Sequence, residues 1–578
     1  MALAFRWIKF VVFSAWLLTA CGDVDGSYHE PSPDGADDLA LSGGKADELF
    51  GECHKVHILL LLNDPGSDAD SLSDRGVHRR AARNIADHRG GGRYFTTIFD
   101  VDAVPYVGPV AMQQLAAAVD SYCDGPSPPP EAYFSPRPYG DDFMAAVVDK
   151  IDGAERSVDM AIYGLSDHRV ISALGAAVDR GVEVRMLYDG ANGDHLRTAG
   201  STSARLEDRG VNVRYINRSM HHKFAIVDGP QDYLLQASRA RFFSGSANLT
   251  YLSVTKYDEN MILHSGGEPS LVLTMQREFN HLWENSRNLE WNDDLEYVET
   301  LSIEEAMIPD VGGLEVLLTS ENFETTYSER WGSGFRPIEF SEVVASRLIE
   351  LIEGARASIY VAARYLRSPR IAEAIIERSR QVPDLDIRVY VDQTEYLSSE
   401  EHEDQQRELA GCLDGANDEG DQFDCRKSGR RFSFALHEQG ISVRFKTYAY
   451  RWHVSYAAQM HHKYLIIDEE ILATGSYNLS NNSERNSMEN VVVYHGWRYP
   501  ELVDDYVANF EGIWETGRPH NQLEELADAE VIDLVFSPLA LSWEELTELR
   551  RIIRQRCPEV DSPAYRQRPE EHQNCVAR

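Results

Sequence analysis

Apolar and polar positions repeat along this chain at two scales. From about residue 131 onward, short apolar runs of strand length stand between stretches whose apolar residues recur at helical spacing. The pattern then occurs again. Ile151-Asp152-Gly153-Ala154-Glu155-Arg156-Ser157-Val158 returns as Ile352-Glu353-Gly354-Ala355-Arg356-Ala357-Ser358-Ile359. Val182-Glu183-Val184-Arg185, leading to Asp189, returns as Leu385-Asp386-Ile387-Arg388, leading to Asp392. Gly210-Val211-Asn212-Val213-Arg214 returns as Gly440-Ile441-Ser442-Val443-Arg444. Each half predicts helix, strand, helix, strand, helix, strand and one further strand, an α/β arrangement built on an internal repeat.

The flanks read differently. Residues 51–126 predict a small helical domain, with Ala81, Ala82, Ile85 and Ala86 and then Met112, Leu115, Ala116 and Val119 at helical spacing, each set behind a short turn. Pro126, Pro128, Pro129 and Pro130 make a stiff linker. Residues 518–578 form a tail with a helical pattern over 543–553 and no assigned chemistry. Two insertions break the repeat. The first half has about ten extra residues between Asp228 and Gly245; the second half is longer between Asp392 and Gly440, either a lid-like loop or a stapled surface excursion.

Composition adds three constraints. At 578 residues the chain is too long for one core, and about three or four domains are expected. The net charge of −38 repels polyanions at long range and speaks against the whole surface coating nucleic acid. Between Ser73 and Arg93, however, six arginines stand against two aspartates, a basic island that fits either a phosphate backbone or a solvated docking module. The N-terminus predicts export: Arg6 and Lys9 precede the apolar run 10–18, which is too short to span a bilayer. Of seven cysteines, Cys21 follows that run, and the other six fall as local pairs. Pairing of neighbours, Cys53 with Cys123, Cys412 with Cys425 and Cys557 with Cys575, is the simplest of the fifteen connectivities, and no C-x2-C spacing points to zinc.

The densest chemistry is a word written twice. Met220-His221-His222-Lys223-Phe224-Ala225-Ile226-Val227-Asp228 and Met460-His461-His462-Lys463-Tyr464-Leu465-Ile466-Ile467-Asp468 both read H-x-K-x4-D. Each precedes a Gly-Ser-x-Asn, with Ser246 and Asn248 or Ser476 and Asn478, and a glutamate eleven residues past the asparagine, Glu259 or Glu489. On a strand, His221 and Lys223 share one face and His222 points away; His461 and Lys463 pair likewise, with His462 opposite. Two such sets face to face give imidazoles, ammonium groups, amides and hydroxyls around one point. That is a phosphate cradle with an acid/base pair and no cluster of carboxylates for a metal.

These motifs resemble those of the phospholipase D superfamily over roughly residues 131–517. The second copy keeps the usual six residues between Asp468 and Gly475, whereas the first departs with sixteen. The resemblance implies two phospholipase D-like α-β-α sandwich halves, 131–290 and 315–517, about a pseudo-two-fold axis, and a phosphodiesterase that needs no cofactor or metal. It implies that His221 attacks phosphorus and His461 is the acid/base. Lys223, Lys463, Asn248 and Asn478, with Ser246 and Ser476, would hold the phosphate oxygens; Glu259 and Glu489 would orient the imidazoles, each across the dyad; Asp228 and Asp468 would be structural. The start of the chain resembles a bacterial lipoprotein signal (residues 1–20) with Cys21 as the lipidated residue and 21–50 as a tether, placing the protein at a bacterial membrane. The helical unit 51–126 resembles tandem helix-hairpin-helix motifs. The expected substrate is a phospholipid at a membrane surface, with an exported nuclease, engaging nucleic acid through residues 73–93, as the alternative and no obligate protein partner.

Overall fold

The computed structural model describes residues 50–125, 127–135, 143–290, 301–330, 332–426, 429–448, 459–516, 538–554, 558–559 and 562–567. The signal segment, the tether up to residue 49 with Cys21, and Cys557 and Cys575 lie outside the described residues.

Two large sheets carry the repeat. The first has seven strands in the order 131–135, 259–264, 241–245, 223–227, 157–162, 183–188, 212–214. The second has eight, in the order 539–542, 442–447, 386–392, 358–363, 463–467, 471–475, 490–495, 314–318. In both, the strand that starts at the motif lysine runs antiparallel to the first repeat strand, Lys223–Val227 on Ser157–Ile162 and Lys463–Ile467 on Ser358–Ala363. These strands are apolar on both faces because both faces are covered. Phe224 and Ile226 join a core that also holds Tyr464 and Ile466 of the other half, while Ala225 and Val227 pack outward with Val147 and Leu174. The two sheets therefore meet across a shared core, with helices on their outer faces.

The tail corrects its expectation. Residues 539–542 are not part of a separate helical appendage but an edge strand of the second sheet, antiparallel to Ser442–Thr447, with Leu539, Ala540 and Leu541 buried. A four-residue strand whose partner lies about a hundred residues away carries no local periodicity.

The N-terminal unit is helical, with Glu52–Asn63 as its central helix and Cys53 bonded to Cys123. Its two turn-then-helix units reverse at Gly76 and Tyr106, both at positive φ, and the Arg80 guanidinium stacks 3.5 Å over the Tyr106 ring. The first-half insertion has a clear packing role. Its 3-10 turn Leu234–Ser238 buries Leu234 and Leu235 in the core that holds Val56 to Leu62. The Leu234 amide donates to Asp64 Oδ2 at 2.6 Å. In the second half Cys412 is bonded to Cys425, which staples helix Ser399–Gly415 to Glu419–Arg426.

A buried ion pair ties the first sheet together. Arg185 reaches Asp159 at 2.7 and 2.6 Å, and Gln276 of helix Pro269–Glu284 donates to the same carboxylate at 2.8 Å. Asp159→Ala leaves a guanidinium buried without its partner and is expected to cost about 3–5 kcal/mol. Thermal or urea unfolding of the purified variant measures it, and an unchanged midpoint would contradict this account of the sheet.

Candidate active site

Each motif histidine sits just before its strand, and the other half fixes its backbone. The His221 amide donates to the Met488 carbonyl at 3.0 Å, and the His461 amide to the Asp258 carbonyl at 3.0 Å. Ser219–Met220 pairs with Ser487–Met488 across the two halves. The residue before each histidine is pinned by its own half. The Met220 amide donates to Asp189 at 2.7 Å and the Met460 amide to Asp392 at 3.1 Å. Asp189 follows the strand Glu183–Tyr188 and Asp392 ends the matching strand Asp386–Asp392; sequence reasoning noted them as repeat positions and gave them no part in the site.

The side chains complete the exchange. His221 Nδ1 lies 2.8 Å from Glu489 Oε2, and His461 Nδ1 lies 2.8 Å from Glu259 Oε2. Each imidazole is thus held through Nδ1 by a buried glutamate of the opposite half, which turns Nε2 away from that carboxylate. Lys223 donates to the His221 carbonyl at 2.6 Å, and Lys463 to the His461 carbonyl at 2.9 Å. Both ammonium groups are buried, Lys223 lying 5.2 Å from the centre of the Tyr163 ring. The amide oxygens of Asn248 and Asn478 are buried and meet no hydrogen-bond partner.

The serines are placed differently from the expectation. Ser246 is wholly buried beneath the site; it donates to Glu259 at 2.7 Å and accepts from the Asn260 amide at 2.9 Å. Ser476, equally buried, accepts from the Asn490 amide at 3.0 Å. Their hydroxyls are engaged with the strands that carry the glutamates, so they position the carboxylates and do not reach a phosphate. The glycine before each serine has a steric reason. A Cβ at Gly245 would stand 2.3 Å from the Asn260 carbonyl oxygen, and one at Gly475 2.2 Å from that of Asn490.

The remaining motif residues are structural. Asp228 and Asp468 both sit at φ 56° and accept from backbone amides at the start of the first repeat strand: Glu155, Arg156 and Ser157, or Arg356, Ala357 and Ser358. His222 turns to the interface between the halves, 3.1 Å from Asn490 Oδ1 and 3.1 Å from Glu278, and His462 lies 3.2 Å from Asn260.

Sequence reasoning missed Arg364. Its amide donates to the His462 carbonyl at 3.2 Å, as Tyr163 does to that of His222 at 3.0 Å, so the two occupy matching places in the halves. The tyrosine rests edge-on against His221, ring centres 4.6 Å apart, whereas Arg364 adds a positive charge that depresses His461 and Lys463. Aligning Ala363-Arg364 with Ile162-Tyr163 is the signal that could have found it.

Burial dominates the electrostatics. It lowers His221 to about 4 against the pull of Glu489, and it lowers His461 well below the usual imidazole range, helped by the Lys463 ammonium. It also brings Lys223 down to about 8 and Lys463 to about 7. The glutamates differ: burial lifts Glu259 to about 8, while His221 and Lys223 outweigh burial at Glu489 and hold it low. A cavity of about 630 Å³ opens beside His221, with Tyr163, Asn478 and Glu489 in its wall. Such a site is poised to receive an anion: two buried cations face each other with both imidazoles beside them.

Residues 147–283 and 348–514, more than half of the chain, match the family described as cardiolipin synthase, phospholipase D-like domain. The chain is 34% identical over 146 residues to the mitochondrial cardiolipin hydrolase of Danio rerio and 30% identical over 151 residues to that of Xenopus laevis. These matches cover 25% and 26% of this chain and 58% and 65% of the relatives, so the chain spans less than two thirds of either relative's length. Among solved structures, phosphatidylserine synthase of Haemophilus influenzae aligns with 79% of this chain and 98% of its own, at 11% identity and a TM-score of 0.41. The phospholipase D family member Nuc from Salmonella typhimurium aligns with 35% of this chain and 93% of its own, at 16% identity and a TM-score of 0.22. The matched segments contain both H-x-K motifs, and the chain belongs to the phospholipase D superfamily.

Proposed function

We propose that the protein hydrolyses the head-group phosphodiester of a phospholipid through a phosphohistidine. The observation that carries this reading is the pair of imidazoles, each backed by the opposite half's glutamate, beside two buried lysines. Lys223, Lys463, Asn248 and Asn478 hold the non-bridging oxygens and stabilise the charge that gathers on them. One imidazole attacks phosphorus with its Nε2 lone pair. The bond to the head-group oxygen breaks, and the other imidazole gives that oxygen a proton. The second imidazole then takes a proton from water, the hydroxide opens the phosphohistidine, and a phosphomonoester leaves with both histidines restored. The superfamily resemblance gives the attack to His221 and the proton transfers to His461. This donor set supplies nucleophile, acid and charge stabilisation from the chain itself, with both glutamates committed to imidazoles.

Three further points favour lipid over nucleic acid. The matching relatives are named as cardiolipin hydrolases. The net charge of −38 disfavours a polyanion. Export with lipidation at Cys21, itself part of the proposal, would hold the site at a bilayer.

Two outcomes are expected. The first concerns pH. Neutral His221 is present above about pH 4 and lost below it, and the lysine ammonium groups are present below about 7 and 8 and lost above. His461, the proton donor, is held well below the usual imidazole range, so kcat/KM for head-group release should fall as pH rises through the acidic range and fall again through 7 to 8 as the ammonium groups are lost; a rate sustained to pH 10 contradicts the lysine role. The second concerns mechanism. In EDTA, head-group release from mixed phospholipid vesicles should persist, and His221→Ala or His461→Ala should lower it by about 10³-fold or more. A metal requirement, or degradation of single- or double-stranded DNA with no lipid turnover, would sink the reading.

A further inference from the structure

The cavity beside His221 is walled mostly by the second half of the repeat, with Tyr163 and Ser219 from the first. Helix Asn481–Asn486, just past Asn478, gives Asn481, Asn482 and Arg485 to that wall. In the first half, the interval between Asn248 and Glu259 has the same length but holds Tyr251, Leu252 and Thr255 at those places. The pseudo-two-fold repeat thus accounts for the helix and not for its chemistry. At these three places the second half has two amides and a guanidinium, and the first half has none.

Arg485 is held in position. Its side chain is 12% exposed, its guanidinium lies 4.0 Å over the Phe423 ring, and one nitrogen sits 3.3 Å from Glu342. Its Nε is buried and meets no hydrogen-bond partner. Glu342 also pairs with Arg370 at 2.6 Å, so two guanidiniums share that carboxylate. Arg367, the other guanidinium at the cavity, is matched by Glu395 at 2.6 Å. Among the described residues, Glu489 is the one carboxylate lining the cavity, and it is engaged with His221. Phe423 belongs to the helix that the Cys412–Cys425 bond staples, and Phe340 packs edge-on against it at 5.1 Å. The second-half insertion therefore braces Arg485.

We propose that Arg485, with Asn481 and Asn482, forms a subsite for a second anionic group: the head group of the lipid carries a phosphate besides the scissile phosphodiester. The inference rests on the phospholipid reading above and narrows its substrate class. A guanidinium fixed in plane suits a phosphate. A single braced guanidinium in an acidic protein fits one extra phosphate, not the continuous cationic track that a nucleic acid strand requires.

The test compares phosphatidylglycerol with phosphatidylglycerol phosphate in detergent-mixed vesicles, using the full chain. The scissile bond is the same in both, and only one head group ends in a phosphate. The unaltered protein should show about a tenfold higher kcat/KM for the phosphorylated lipid, with most of the difference in KM. Arg485→Gln should lower turnover of that lipid about tenfold more than turnover of phosphatidylglycerol, and Arg485→Lys should restore part of the preference. Phe423→Ala, which removes the brace and keeps the charge, should weaken the preference in the same direction. Equal kcat/KM for the two lipids, or an Arg485→Gln variant that loses both activities alike, overturns the subsite and leaves the phospholipase reading standing. Cleavage of oligodeoxynucleotides with neither lipid touched overturns both.

Discussion

Each half of this molecule supplies the carboxylate that orients the other half's histidine. Glu489 holds His221, Glu259 holds His461, and both contacts are 2.8 Å long and buried. The backbone follows the same rule, since each histidine amide donates to a carbonyl of the opposite half. Neither half alone has an oriented imidazole, so the packing of one sheet against the other is also the assembly of the site. This is why the shared core matters to the chemistry. Phe224, Ile226, Tyr464 and Ile466 lie on strands that begin at the motif lysines, and the apolar burial that joins the halves also fixes the lysines behind the histidines.

Burial has an electrostatic consequence. Two ammonium groups facing each other in a dry interior are disfavoured, and both lysines are pulled down by desolvation. Carbonyl oxygens and glutamates offset part of that penalty. An anion between the lysines would offset more, raising their affinity for protons and drawing the histidines the same way. The site's cations therefore stand ready before any substrate arrives. The two halves are not electrically equal. Arg364 stands where the first half has Tyr163, and Glu259 is pushed up while Glu489 is held low. A structural repeat has become a pair of chemically distinct partners.

Much of this was legible because the repeat is written in residues of unusual type. The α/β class, the two halves and the inward pairing of each histidine with its lysine follow from period and spacing. The Ser–Glu contact does not: Ser246 and Glu259 are thirteen residues apart and meet only because Arg241–Gly245 pairs antiparallel with Glu259–His264. A hydroxyl beside the motif asparagine reads as a ligand until the sheet register turns it beneath the site. The edge strand 539–542 was hidden for a related reason, because its evidence is a pairing and not a pattern. Arg364 was hidden because the matching position holds a tyrosine, and a repeat draws the eye to what recurs.

The two insertions carry no recurring pattern either. Both are departures from the repeat, and both have a packing partner. In the first half the extra residues between Asp228 and Gly245 bury Leu234 and Leu235 against the N-terminal helices and leave the motif frame intact. In the second half the stapled helices place Phe423 under Arg485, and Arg485 lines the cavity. One insertion attaches a module and the other shapes the wall beside His221. A duplicated fold supplies two equivalent halves of a phosphate site, and such a site by itself is indifferent to which phosphodiester it holds. Discrimination must come from what the halves do not share. Two such unshared residues are Arg364, where the first half has Tyr163, and Arg485, where it has Thr255, so the broken symmetry is where the proposed substrate choice would arise.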